Sequence, residues 1–141
     1  MDCLFCKIVK NEIPSAKIFE NERVAAFFDI NPLTKGHCLV VPKDHYEDVF
    51  SIPLVDLKAV ITDAQKLAET LRGSLQAEGV NLVNASGAAA EQSVFHFHLH
   101  IVPRYLNDGL EMNQWWQSKV KPADPENLKK MAEEISKAIK N

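Results

Sequence analysis

Five residues, His96-Phe97-His98-Leu99-His100, alternate polar rings with large apolar side chains, and Ile101 and Val102 extend the run. Side chains on a β-strand change face at every residue. The pattern predicts a strand over Ser93 to Arg104 that carries His96, His98 and His100 in a row on one face. Phe95, Phe97, Leu99 and Ile101 fall on the other face, which suits a buried core. Three imidazoles on one face are costly if stability is their only purpose. Each can attack, donate, accept or bind a metal near neutral pH.

The rest of the chain supplies a framework for that strand. Lys17 to Glu20 and Arg23 to Phe28 read as two short strands around a turn at Asn21-Glu22. Gly36 opens a third, His37 to Val41, which Pro42 closes, and Val80 to Val83 reads as a fourth. Between the third and fourth lies the strongest helical signal. Ser51 is placed as its N-cap, with Pro53 in the first turn. Leu54, Leu57, Ile61, Ala64, Ala68, Leu71 and Leu75 then recur at steps of three and four, and Gly79 is placed at the end. Asn84 to Gln92 reads as a loop, and Leu106 to Ala123 shows no clear period. Asp124 and Pro125 open a last helix with Leu128, Met131, Ile135, Ala138 and Ile139 on its apolar face. Strands on either side of one long helix, without repeats or a linker, predict a single α+β domain over 1–141.

Composition removes several classes of function. The 141 residues are 46 % hydrophobic and 25 % charged, with a formal net charge of -3. A surface that tracks phosphates usually needs excess Lys and Arg, so nucleic acid is not expected as the partner. No apolar stretch approaches the roughly 20 residues that span a bilayer, so no membrane partner is expected. The opening residues carry no basic leader followed by an apolar run, and a cytoplasmic location is expected. Three cysteines cannot make a complete disulfide framework. Cys3-x-x-Cys6 has the spacing of half a zinc site. Free thiols beside a catalytic His96, or a redox pair, are the other readings of that spacing. Cys38 lies in an apolar strand and reads as packing.

The segment Gln92-Ser93-Val94-Phe95-His96-Phe97-His98-Leu99-His100-Ile101-Val102 resembles the signature of the histidine triad family, His-x-His-x-His followed by two hydrophobic residues. Asn84, Phe27-Phe28-Asp29-Ile30-Asn31-Pro32, Gly36 to Pro42 and the start Phe5-Cys6-Lys7-Ile8-Val9 extend the likeness. It covers roughly residues 3 to 104 and leaves 105–141 as an extension. The resemblance implies an antiparallel sheet of about five strands with one long helix and a C-terminal helix. It also implies homodimers that join two sheets into one.

The resemblance further implies a nucleotide hydrolase or transferase. His98 would attack the α-phosphorus of a purine nucleotide and form a covalent nucleotidyl-histidine, which water then hydrolyses. His100, His96 and His37 match the other active-site histidines. Asn84, Gln92 and Ser93 match polar positions that contact the phosphate and the leaving group. Asp29 matches the carboxylate that accepts both ribose hydroxyls. Phe5, Ile8, Phe27, Ile30 and Leu39 match the apolar pocket around the base. Metal-binding members, bacterial ones included, pair two cysteines with two histidines. That implies one structural zinc per chain on Cys3, Cys6, His45 and His96. Two substrate branches compete. Nucleoside phosphoramidates are favoured by the front half, and dinucleoside polyphosphates by the Pro103-Arg104 ending. The rival from another class is a nucleotide-binding or interaction module with little turnover.

Overall fold

The computed structural model describes residues 2–139. They form two compact units, one running to Leu110 and the other starting at Glu111.

The first unit is built on a five-stranded antiparallel sheet in the order β1-β2-β3-β5-β4. The strands are β1 (Lys17–Glu20), β2 (Val24–Phe28), β3 (Cys38–Pro42), β4 (Gly79–Val83) and β5 (Leu99–Arg104). With its helices this is an α+β fold, as the pattern predicts. A short helix α1 (Leu4–Val9) precedes the sheet, and α2 (Leu54–Leu75) connects β3 to β4. Because β5 inserts between β3 and β4, the histidine-bearing strand lies inside the sheet.

Alternation along the strands divides the core in two. Val24, Ala26, Cys38, Val40, Phe97, Leu99 and Ile101 pack with Val60, Ala64, Leu67 and Leu71 of α2. On the other face Ala25, Phe27, Leu39 and Val41 pack with Cys3, Phe5 and Ile8 of the α1 segment. His100 pairs with Leu39 across the β3–β5 register and with Val83 across β4–β5, so it belongs to the α1 face.

Several boundaries differ from the sequence reading. The strand expected from Ser93 starts only at Leu99, so His96 and His98 lie in the segment leading into β5. The alternation of faces survives from Phe97, which is buried against α2, but Phe95, expected on the same buried face, is 44 % exposed. Pro53, not Ser51, caps α2, and Ser51 instead closes a turn with Asp48. The helix ends at Gln76, which takes the left-handed conformation expected near Gly79, while Gly79 opens β4. The buried stripe of α2 is Asp56, Val60, Ala64, Leu67 and Leu71; Leu54 and Ile61 face outward.

The second unit contains α3 (Asn113–Lys119) and α4 (Pro125–Ala138). Helix α3 lies where no period was visible. Asp124 caps α4 by accepting from the Glu126 N–H, with Pro125 at its start as expected. Among the described residues no helix is long and apolar enough to cross a membrane.

Candidate active site

The segment 95–98 ahead of β5 is held by two hydrogen bonds to its backbone. The Phe97 N–H donates to the Tyr46 carbonyl at 2.6 Å, and Asn84 Nδ2 donates to the His98 carbonyl at 2.9 Å. Ser86 Oγ donates to Asn84 Oδ1 at 2.8 Å, which orients that amide. Without a ladder partner, these bonds do the work that strand pairing would do.

His98 is 3 % exposed, and its Nδ1 lies 2.8 Å from the His96 carbonyl oxygen. A carbonyl only accepts, so Nδ1 carries the proton and Nε2 keeps its lone pair. The ring stands edge-on to Phe5, with centroids 5.1 Å apart, and to His100 at 5.0 Å. Burial lowers the His98 pKa below the ordinary histidine value, although the His96 carbonyl and the Asp29 charge oppose it. Near pH 7 the ring is therefore neutral and nucleophilic.

His100 Nδ1 lies 2.9 Å from Nε2 of His37, a buried residue just before β3. Burial, with His98 and His37 nearby, pushes the His100 pKa down to about 4. His37 is lowered as well, by burial first, against the pull of Asp29. The Leu33 N–H donates to His37 Nδ1 at 3.0 Å. Asp29 Oδ2 lies 3.7 Å from His37 Nε2, an electrostatic neighbour beyond hydrogen-bond reach. Its Oδ1 accepts from the Asn31 N–H at 2.8 Å, which fixes the carboxylate at the end of β2.

The remaining expected positions divide. Phe5, Ile8, Phe27 and Leu39 are buried together beside His98, while Ile30 is 87 % exposed and outside that cluster. Ser93 is exposed and borders a cavity with Cys3, His45, Val94 and Phe95. Gln92 is buried and fully engaged: Oε1 accepts from the Gly87 N–H, and Nε2 donates to the Glu47 and Val94 carbonyls. It pins the 84–92 loop, and its amide has no hydrogen left for a substrate.

Cys3, Cys6, His45 and His96 converge at one point. Cys3 Sγ and Cys6 Sγ each lie 3.5 Å from His96 Nδ1. His45 Nδ1 lies 3.4 Å from Cys6 Sγ and 3.2 Å from His96 Nδ1. A tetrahedral zinc with ligands at about 2.3 Å (S) and 2.0 Å (N) sets the donor atoms roughly 3.3 to 3.8 Å apart, so the four groups fit. His96 Nε2 lies 2.9 Å from the Pro42 carbonyl, which can only accept; this leaves Nδ1 as the ligating nitrogen. The Cys6 N–H donates to Cys3 Sγ at 3.5 Å, a contact that favours a thiolate. Burial, with Cys3 next to it, raises the Cys6 thiol pKa, a balance that a bound dication would reverse.

Two further polar residues, Asp56 and Arg104, are tied up in hydrogen bonds, and Asp56 belongs to no motif. Asp56, on the buried stripe of α2, accepts from Tyr46 Oη at 2.8 Å and from Arg23 Nη1 at 2.9 Å. It thereby anchors the residue next to His45. Arg104 reaches Asp108 through Nε and Nη2, Asn81 through Nη1, and the Leu110 carbonyl through Nη2.

A family model described as HIT domain matches residues 10–107. The crystal structure of a HIT family member from Bacillus subtilis is 38 % identical, has a TM-score of 0.86, and covers 100 % of this chain and 99 % of that one. A Zn-bound histidine triad family protein from Mycobacterium smegmatis is 40 % identical with a TM-score of 0.76, over 79 % of this chain and 81 % of that one. The adenosine 5'-monophosphoramidase hnt1 of Schizosaccharomyces pombe is 36 % identical over 140 residues, 99 % of this chain and all of that protein.

Proposed function

The chain belongs to the HIT domain family, a family of nucleotide hydrolases and transferases, and from that premise we propose that it hydrolyses purine nucleoside phosphoramidates at the α-phosphorus. One observation carries the reading. His98 is a buried, neutral ring whose Nδ1–H is committed to a carbonyl and whose Nε2 lone pair is left over. That lone pair attacks phosphorus, the P–N bond breaks, and the amine leaves with the bonding electrons and takes a proton from solvent water, which the later hydrolysis of the adduct returns. Water then attacks the nucleotidyl-histidine, releases a nucleoside monophosphate and restores His98. His100 donates to a phosphoryl oxygen. Asp29 accepts the ribose hydroxyls, and Phe5, Ile8, Phe27 and Leu39 flank the base. Ser93 faces the leaving group.

Relatives support the substrate class, hnt1 being named as an adenosine 5'-monophosphoramidase. The Pro103-Arg104 ending resembles the dinucleoside polyphosphate branch, and a direct role for Arg104 on phosphate would need a free guanidinium. Its guanidinium is instead occupied by Asp108, Asn81 and the Leu110 carbonyl. A binding module without turnover has no use for a neutral, desolvated nucleophile beside a second imidazole. The test is to offer a fluorogenic adenosine phosphoramidate and diadenosine tetraphosphate in parallel, quench in alkali and map the adduct by mass spectrometry. Faster phosphoramidate turnover with an adenylyl group on His98 supports the reading. Turnover of neither, or product without the adduct, overturns it.

Cys3, Cys6, His45 and His96 hold one structural zinc in this reading. A closed set of four protein ligands leaves no position for substrate, so the ion ties α1 to the segment that carries His98. The Zn-bound mycobacterial relative supports the assignment. The chain acts as a homodimer: β4 is an edge strand with Val80 and Leu82 exposed, beside an apolar groove against α2. Sedimentation at twice the chain mass is the expected result. Cys3, Cys6 and Cys38 form no disulfide among the described residues, which agrees with a cytoplasmic location.

A further inference from the structure

Two hydrogen bonds in series bear on the proton positions in the site, and their order has only one solution. The Leu33 N–H points at His37 Nδ1 from 3.0 Å. A backbone amide only donates, so Nδ1 must hold a lone pair. The neutral His37 ring then carries its proton on Nε2. That nitrogen lies 2.9 Å from His100 Nδ1, and with Asp29 Oδ2 at 3.7 Å, the bond goes to His100. His100 Nδ1 accepts, and the His100 proton sits on Nε2.

We propose that the backbone amide of Leu33 is a positioning group that selects the tautomers of His37 and His100. Through them it holds His100 as a fixed Nε2–H donor beside the Nε2 lone pair of His98. The inference rests on the assignment of His98 as nucleophile and adds the polarity of its neighbour. Two rings 5.0 Å apart then present opposite faces to a phosphate. One has a lone pair, set by the His96 carbonyl; the other has an N–H, set by the Leu33 amide two residues along a chain of bonds.

The local fold is built to keep that amide in place. The His37 N–H closes a turn onto the Thr34 carbonyl, and the His37 carbonyl accepts from the Asp29 N–H. Thr34 Oγ1 donates to the Pro103 carbonyl of β5 at 2.5 Å. Gly36 sits in this turn at φ +90, and a Cβ there would come within 2.5 Å of Leu75 Cδ1. The positive φ favours glycine there, and a larger residue would also have to push the Leu75 side chain aside. The Leu33 side chain is 56 % exposed, so what this residue contributes is its amide.

A consequence follows for proton traffic. His37 Nδ1 carries no proton, so none can be passed inward from it. Giving up the His100 Nε2 proton would leave an imidazolate in the pair. The His37–His100 pair is therefore a donor that stays protonated through the cycle and is not a relay.

Long-range proton–nitrogen correlation spectra of the purified full chain, labelled with 15N in histidine, test this at pH 7. Both His37 and His100 are expected as neutral Nε2–H rings. A His37 ring protonated on Nδ1 overturns the proposal whatever the enzyme's activity. Leu33→Pro removes the amide hydrogen and leaves a small apolar side chain. His37 should then populate the Nδ1–H form, and kcat for the adenosine phosphoramidate should fall about tenfold with KM unchanged. Leu33→Ala keeps the amide and should match wild type in both readouts. A Leu33→Pro protein with wild-type tautomers and wild-type kcat also overturns it. If His98→Ala remained active while the spectra were as expected, the nucleophile assignment would fail and the tautomer assignment would stand.

Discussion

His98 donates its Nδ1–H to the backbone carbonyl of His96, 2.8 Å away, and His96 turns its own Nδ1 to Cys3, Cys6 and His45. In the proposed mechanism the aim of the attacking nitrogen is thus set by the backbone of a residue from the Cys3, Cys6, His45 and His96 cluster. His98→Ala should lower kcat on the order of a thousandfold or more, because no other group replaces a covalent nucleophile. Binding of adenosine monophosphate, followed by fluorescence titration, should change little. A variant that turns over at the wild-type rate would remove His98 from the mechanism.

Purified protein should contain about one zinc per chain by elemental analysis, and Cys3→Ala should lose it. Structural zinc contributes its binding energy to folding, so metal removal should lower Tm by several degrees or more. The ligands bind deprotonated, so zinc should leave as pH falls and return as pH rises. Full stability after complete chelation would count against the site.

The neutral, half-buried His100 links stability to pH. Its pKa is about 4 in the fold and 6.5 without burial. Between those values the unfolded chain holds a proton on this ring and the folded chain does not. Stability therefore rises with pH across the window from about 4 to 6.5, and the loss at its acid end is on the order of a few kcal/mol. Urea unfolding of wild type and His100→Leu, at equal metal content, isolates the ring. The variant should show the shallower dependence, and equal slopes would contradict a neutral His100 in the fold.

The histidine row was legible because side-chain alternation persists where ladder pairing stops. His96 and His98 precede β5, yet Phe97 still turns to α2 and His98 to Phe5. The sheet and the long helix were legible for the same reason: periodicity reports which face is buried. The stripe on α2 was read in part: Ala64 and Leu71 are buried and Leu57, Ala68 and Leu75 pack beside them, but Leu54 and Ile61 face outward, and Asp56, a charged residue, was not read as core. Gln92 was legible as polar, but side-chain type does not say whether its partners will be backbone groups of its own loop. Leu33 was invisible, since every residue but proline has an amide and only the fold aims this one. His45 joins Cys6 across 39 positions, a meeting that local pattern cannot foresee and that only family likeness suggested.

Asp56 gives the most direct test of how the scaffold supports the metal loop. It is 5 % exposed and takes hydrogen bonds from Tyr46 Oη and Arg23 Nη1 on its two oxygens. Tyr46 follows His45 in the chain, and its carbonyl receives the Phe97 N–H between His96 and His98. One buried carboxylate thus fixes a residue that touches both histidine-bearing segments. Asp56→Ala leaves the tyrosine hydroxyl without its acceptor and should cost about 2 kcal/mol in urea unfolding. The release of zinc to a chelator should quicken as well, because the His45 loop loses its anchor to α2. Asp56→Asn, which keeps an acceptor for Tyr46, should recover most of the chelator resistance. If Asp56→Ala lost stability but released zinc at the wild-type rate, Asp56 would serve packing alone and not the metal loop.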